Sequence, residues 1–232
     1  MSLLRQFRRL LRNKSGVAAV EFAMGAPLLL TAGLWGSETA NYALVNMKIG
    51  QLAVHIADNG SRIGDTSMLQ NRKIYESDLN DLIYGAQIQG GPAIGLYDNG
   101  RVIISSLEVR ESGSGDEEQY IHWQRCRGAK NVASSFGDEG DVLANGIGRD
   151  GTEVLAQSGD AVIFVEINYT YQPLISANFL GSLDIISTAS FTVRDDRDLS
   201  QIYQRDTANP DDEQRCSAFS GNLGVDAGGT VS

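Results

Sequence analysis

Hydrophobic and polar positions alternate with three different periods along this chain. From Val17 to Gly36 the residues are almost uniformly apolar, VAAVEFAMGAPLLLTAGLWG, and Glu21 is the one charged side chain among them. A helix of about 20 residues at about 1.5 Å rise covers roughly 30 Å, the thickness of a bilayer's hydrocarbon core, so this stretch is predicted to cross a membrane. Beyond it the apolar residues thin to steps of three and four, Tyr42, Val45, Ile49, Leu52 and Ile56, with Asn41, Asn46, Lys48 and Gln51 on other faces. That spacing is the mark of an amphipathic helix. Because the two patterns join without punctuation, one helix over 17–58 is predicted, ending near Asn59-Gly60 where a left-handed cap is available. The alternative is a span followed by a separate surface helix, with Gly50 as the break. Pro27 has no N–H to offer the carbonyl of Ala23, which predicts a kink or a melted turn inside the span. Ala32, Gly36 and Ala40 fall four apart and give one face small enough for close helix approach.

Past Gly60 the pattern is mixed until Gln89, with a short helix expected over Asp78–Tyr84, whose first turn carries acids as the helix dipole favours. After Gly90-Gly91-Pro92 the period becomes two. Val102–Val109 reads as a strand, preceded by Tyr97-Asp98-Asn99-Gly100 with the composition of a hairpin turn. Ser112–Glu118 reads as a flexible polar loop and Tyr120–Cys126 as a second strand bearing Trp123. The glycine-, Asp-, Asn- and Ser-rich segment 127–160 reads as a long ordered loop. The strongest alternation runs from Ala161 to Tyr171, with Ala161, Ile163, Val165, Ile167, Tyr169 and Tyr171 on one face, and predicts a sheet with one buried face. Ile185–Val193 repeats it through Ile185, Ala189, Phe191 and Val193. Between these strands Pro173 and the apolar run Leu174–Leu180 are expected to rest against the stem or the membrane surface. The chain is thus read as α+β: a leader over 1–16, a transmembrane and stem helix over 17–60, and an antiparallel-sheet domain over 61–232 with a polar C-terminal tail.

Charge sets the direction of the span. Arg5, Arg8, Arg9, Arg12 and Lys14 precede it, and no acid occurs in the first sixteen positions. This asymmetry holds the N-terminus in the cytoplasm and sends the rest across the membrane. The whole chain has a net charge of −10; without the five leader cations, 14 basic residues face 29 acids, a net of −15. So acidic a surface argues against nucleic acid as a partner and is sufficiently explained by solubility. The two cysteines, Cys126 and Cys216, both lie in the part expected outside the cytoplasm. They read as one disulfide closing a loop of about 90 residues, a bond of about 2 to 5 kcal/mol. A zinc site would be incomplete, since only His122 stands at ligand spacing from either cysteine. Asp138, Glu139, Asp141 and Asp150 lack EF-hand spacing and read as a solvated acidic loop rather than a calcium site.

Glu21 needs its own explanation, because a carboxylate in an apolar span costs several kcal/mol at the bilayer centre and persists where it has a task. It stands five residues after Gly16, in G-V-A-A-V-E-F behind the basic leader. This resembles the processing site of type IV prepilins, which are cut after the glycine by a membrane-embedded aspartic peptidase. The longer run R-N-K-S-G-V-A-A-V-E-F-A-M-G-A-P-L-L-L resembles the N-terminus of the TadE-like family, minor pilin-like proteins of tight-adherence (Flp) pilus systems. V-E-I-N-Y-T-Y-Q-P-L and the later A-S-F-T-V-R-D-D-R resemble the C-terminal part of the same family. The resemblance implies cleavage between Gly16 and Val17, filament or assembly contacts through Glu21 and Phe22, and an inner-membrane protein with a periplasmic domain. Its implied partners are a prepilin peptidase, other pilus subunits and the inner-membrane assembly platform. Independently of any family, cleavage would leave an ammonium on Val17 one helical turn from Glu21, and a neighbouring subunit's carboxylate could pair with it.

No Ser-His-Asp set, HExxH, P-loop or GxGxxG occurs in a fitting context, and the two histidines, His55 and His122, stand on different elements. No enzyme activity and no cofactor are assigned. Three functions remain in competition: a pilus minor subunit or assembly factor, a membrane-anchored periplasmic binding module, and an anchored hydrolase. Only the first predicts cleavage after Gly16.

Overall fold

A computed structural model describes residues 15–65, 72–113, 115–175, 181–194 and 196–221. Residues 1–14 of the leader, 176–180 of the apolar run and the last part of the tail, 222–232, lie outside the described residues. The first described element is one unbroken helix, α1, Ser15–Gly60. Gly50 does not divide it: a Cβ there would lie 3.8 Å from Ser187 Oγ, so the glycine sits where the helix crosses the sheet. Nor does a turn melt at Pro27; the Thr31 hydroxyl donates to the Pro27 carbonyl at 2.7 Å, giving the helix a polar bond within its apolar stretch. The expected left-handed cap at Gly60 is replaced by other groups. Ser61 N–H bonds the Ala57 carbonyl at 2.9 Å, and the buried Arg197 guanidinium reaches the carbonyls of Gly60 at 3.4 Å and Ile63 at 2.6 Å. Gly60 is needed there for closeness, since a Cβ would come within 3.1 Å of Ile163 and 3.3 Å of Leu82.

A second helix, α2, Glu76–Gly90, extends the expected one at both ends. At its start the Asp78 carboxylate accepts the Tyr75 backbone N–H at 3.1 Å. The segment expected as a hairpin turn is a single helical turn, α3, Leu96–Asn99. Among the described residues no strand precedes it to form a hairpin, and burial of Tyr97, whose hydroxyl donates to the Ile83 carbonyl at 2.7 Å, holds the turn against α2. Among the described residues four strands follow: β1 Gly100–Glu111, β2 Glu117–Arg127, β3 Ala161–Thr170 and β4 Asp184–Thr192. They form an antiparallel sheet in the order β2-β1-β3-β4. The polar loop after β1 is a tight hairpin connection, closed by Ser112 N–H on the Asp116 carbonyl at 2.7 Å. His122 is the extra residue of a bulge between β1 and β2, because Ser106 pairs with Trp123 and Leu107 with Ile121.

The helical periodicity meets the sheet alternation in one core. Ile49, Leu52 and Ile56 of α1 pack with Leu79 and Ile83 of α2 and with Val102, Ile104, Ile163, Val165 and Ile167 of the sheet. The sheet's other face, however, is buried as well. Leu107, Ile121, Val162 and Phe164 are covered by Phe136, Leu143, Ile147, Val154 and Ala156 from the long connection 128–160. That connection is therefore a covering layer rather than a solvated excursion, and Ile147 and Val154 pair within it. Single-sided alternation on β3 misses this because its second face mixes Val162 and Phe164 with buried Glu166 and Asn168. Glu166 holds the cover down, accepting from Ser135 N–H at 3.0 Å, Ser135 Oγ at 2.7 Å and Ser134 Oγ at 3.1 Å.

The direction of α1 over the sheet follows from its contacts. Asn41 meets Tyr171, Gly50 lies by Ser187, Asp58 pairs with Arg194 and Gly60 abuts Ile163. The helix thus runs parallel to β4 and antiparallel to β3, with the β3–β4 connection nearest its apolar half.

Candidate functional site

α1 divides into two halves of opposite character. Val17, Val20, Phe22, Met24, Leu28, Leu29, Leu30, Leu34 and Trp35 are all exposed, whereas Ile49, Leu52, Ala53, Ile56 and Ala57 are at most 2% exposed. It is the one helix among the described residues long and apolar enough to cross a membrane, and no part of its apolar window is buried in the protein. Gly16, Val17, Glu21 and Phe22 all lie on the exposed half, within the first two turns. Each is free to meet another molecule, lipid or protein.

Where the bare half meets the head, Glu38 is 4% exposed. Its carboxylate accepts from the Tyr171 hydroxyl at 2.5 Å, Leu174 N–H at 3.2 Å and Ile175 N–H at 3.0 Å. Asn41 Nδ2 donates to the same hydroxyl at 2.7 Å, and the Tyr42 ring stands edge-on to Tyr171 at 5.1 Å. The Tyr171 hydrogen bond, more than the two backbone donors, lowers the Glu38 pKa against the opposing cost of burial. The carboxylate is thereby kept ionised while it ties the β3–β4 connection to the helix. Nothing in the spacing of Glu38 singled it out, because its partners lie more than 130 residues away. Of the run Leu174–Leu180, expected against the stem or the membrane surface, Leu174 and Ile175 are tied to the stem through their backbone N–H groups, and 176–180 lie outside the described residues.

Cys126 and Cys216 are joined, with a Cα separation of 4.7 Å and 90 residues between them in sequence. The bond fixes the tail against β2, where Cys126 N–H also donates to the Gln214 carbonyl at 2.7 Å. Arg101, 1% exposed, is the third fastening. Its guanidinium donates to the carbonyls of Cys216 and Ala218 and lies over the Phe219 ring at 4.1 Å. Burial without a carboxylate partner lowers its pKa. Gly128, at φ +133°, lets the chain after β2 pass against the start of β1, since a Cβ there would lie 2.1 Å from the Gly100 carbonyl. Beside these fastenings an open cleft of about 640 Å³ is lined by Arg101, Arg125, Glu139, Glu213, Arg215 and the disulfide.

The polar residues of the sheet are engaged with one another. His122 Nδ1 lies 2.7 Å from Glu108, and Ser106 Oγ donates to the other oxygen of that carboxylate at 2.7 Å. The Glu108 hydrogen bond raises the His122 pKa. Serine and histidine thus share the carboxylate instead of facing each other. Glu139 accepts Gln124 N–H at 3.1 Å and Asp141 accepts Asp138 N–H at 2.8 Å, which uses the acidic loop to cover the edge of β2. Among the described residues no three of His, Cys, Asp and Glu converge as metal ligands would. Compared with known proteins, the chain matches no family model, no curated protein and no solved structure.

Proposed function

We propose that this chain is a minor pilin-like subunit, of the kind the TadE resemblance implies, acting in the assembly of a Tad (Flp) type IV pilus for surface adhesion. The observation that supports it is the two-sided α1: a 46-residue helix whose distal half anchors a folded head and whose proximal half is bare and apolar. A helix apolar all round is at home in lipid or among other helices, and a subunit that moves from bilayer to filament uses both. In this reading the leader stays in the cytoplasm of a bacterial inner membrane, residues 17–36 contact lipid, and the head is periplasmic. A prepilin peptidase cuts between Gly16 and Val17; other pilus subunits and the assembly platform then take up the exposed half through Glu21 and Phe22.

Mass spectrometry of the N-terminus, from cells that possess a prepilin peptidase, tests the reading. The mature chain should begin at Val17, and Gly16→Ala should slow or block the cut. An intact Met1 would refute it. The arginine-lined cleft beside the disulfide favours a second reading, a membrane-anchored periplasmic binding module, which leaves the N-terminus uncut.

A further inference from the structure

We infer that the start of the β3–β4 connection is a membrane seat: Leu174 and Ile175, with Trp35 of α1, dip into the bilayer's interfacial layer and set the height of the head above it. This deepens the membrane-spanning reading of residues 17–36 and rests on it. Leu174 is 68% exposed, Ile175 42% and Trp35 59%, although all three surround one of the best-tied junctions in the chain. The tie is what fixes their depth. Both backbone N–H groups of the pair are bonded to the Glu38 carboxylate, and Glu38 lies only two residues, about 3 Å, beyond the end of the apolar stretch at Gly36. The headgroup layer on each side of the hydrocarbon is several ångströms deep, so side chains held at that level lie within it.

The chemistry of the junction fits that layer and not open water. Trp35, Tyr42, Tyr171 and Leu183 line a small cavity of about 100 Å³ at the same level, and amphipathic aromatic rings gather where headgroups meet acyl chains. The Glu38 charge, which would oppose insertion, faces inward and is covered by three donors. Asp184, at the far end of the connection, is paired with Lys130 at 2.7 Å. Two exposed branched side chains pinned beside an apolar helix continue its lipid-facing surface, and lipid is the occupant that the helix already demands.

The full chain reconstituted in phosphatidylcholine vesicles tests this by indole fluorescence. Leu174→Trp is made together with Trp35→Phe, leaving Trp123 buried in the core as an internal reference, and Ile175→Trp provides a second probe. Lipid brominated high on its acyl chains should quench the new indole about twofold, as for an interfacial ring, while aqueous iodide leaves it largely unquenched. Emission untouched by brominated lipid and freely quenched by iodide, at both probe positions, overturns the seat. The unsubstituted protein separates the two ideas. If Trp35 is quenched by brominated lipid and the new indoles are not, the span stands and the seat falls; if Trp35 is also unquenched, the membrane-spanning reading itself fails.

Discussion

Glu38 illustrates how one side chain can join two distant parts of a chain. Its pKa is lowered first by the Tyr171 hydroxyl and then by the Ile175 and Leu174 backbone donors. A carboxylate whose folded pKa is depressed contributes stability above its ordinary value of 4.5, and that contribution is lost as pH falls through the folded value. Glu38→Gln removes the charge while keeping an acceptor. It should be less stable than the parent at neutral pH and lose less of its stability on acidification below about pH 5. Thermal unfolding of the full chain in detergent, followed from neutral to acid pH, reads both effects. Parallel acid limbs for parent and variant would show that the carboxylate charge does not hold the junction. His122 carries the opposite sign: its raised pKa gives stability that is present in acid and fades as pH rises through the folded value.

At the level of elements, α1 stabilises the fold only through its second half. Leu52, 2% exposed in the core, should cost about 2 to 5 kcal/mol as Leu52→Ala, the range for a buried leucine. Leu44, 59% exposed and in the same helix, should cost little as Leu44→Ala. Denaturant unfolding of both variants gives the comparison, and equal losses would mean that the helix is not docked as described. Much of this was legible in the residues themselves. The stepped series Tyr42, Val45, Ile49, Leu52 and Ile56 does turn toward the sheet, and the alternation of β3 and β4 does mark strands. Tyr97-Asp98-Asn99-Gly100 misled because turn composition suits one turn of helix as well as a hairpin, and burial of Tyr97 decides between them. The second buried face escaped for a different reason. Its cover is an irregular segment with no period to read, and Glu166 and Asn168 break the apolar count on β3. Glu38 and Arg101 were hidden because each acts through partners far away in sequence, most of them main-chain atoms.

The molecule as a whole is a folded head on a helix whose first half is exposed, and the last prediction belongs at that scale. Glu21 stands on the bare half, among exposed apolar side chains, one helical turn from Val17. If cleavage exposes the Val17 ammonium and a neighbouring subunit's Glu21 pairs with it, Glu21→Ala should leave membrane insertion intact or slightly improved, because it removes a charge from an apolar span. Cleavage should survive too, since the basic leader and Gly16 are untouched. Assembly should fail: each incoming ammonium would be left unpaired among apolar helices, a penalty of about 3 to 5 kcal/mol for a broken buried pair. That corresponds to a loss of association of roughly two to four orders of magnitude. Co-purification of the variant with the other pilus subunits, beside a count of surface fibres, measures it. Undiminished association and normal fibres would deny Glu21 this role and shift the weight to the anchored binding module, for which the cleft around Arg101 would become the place to look.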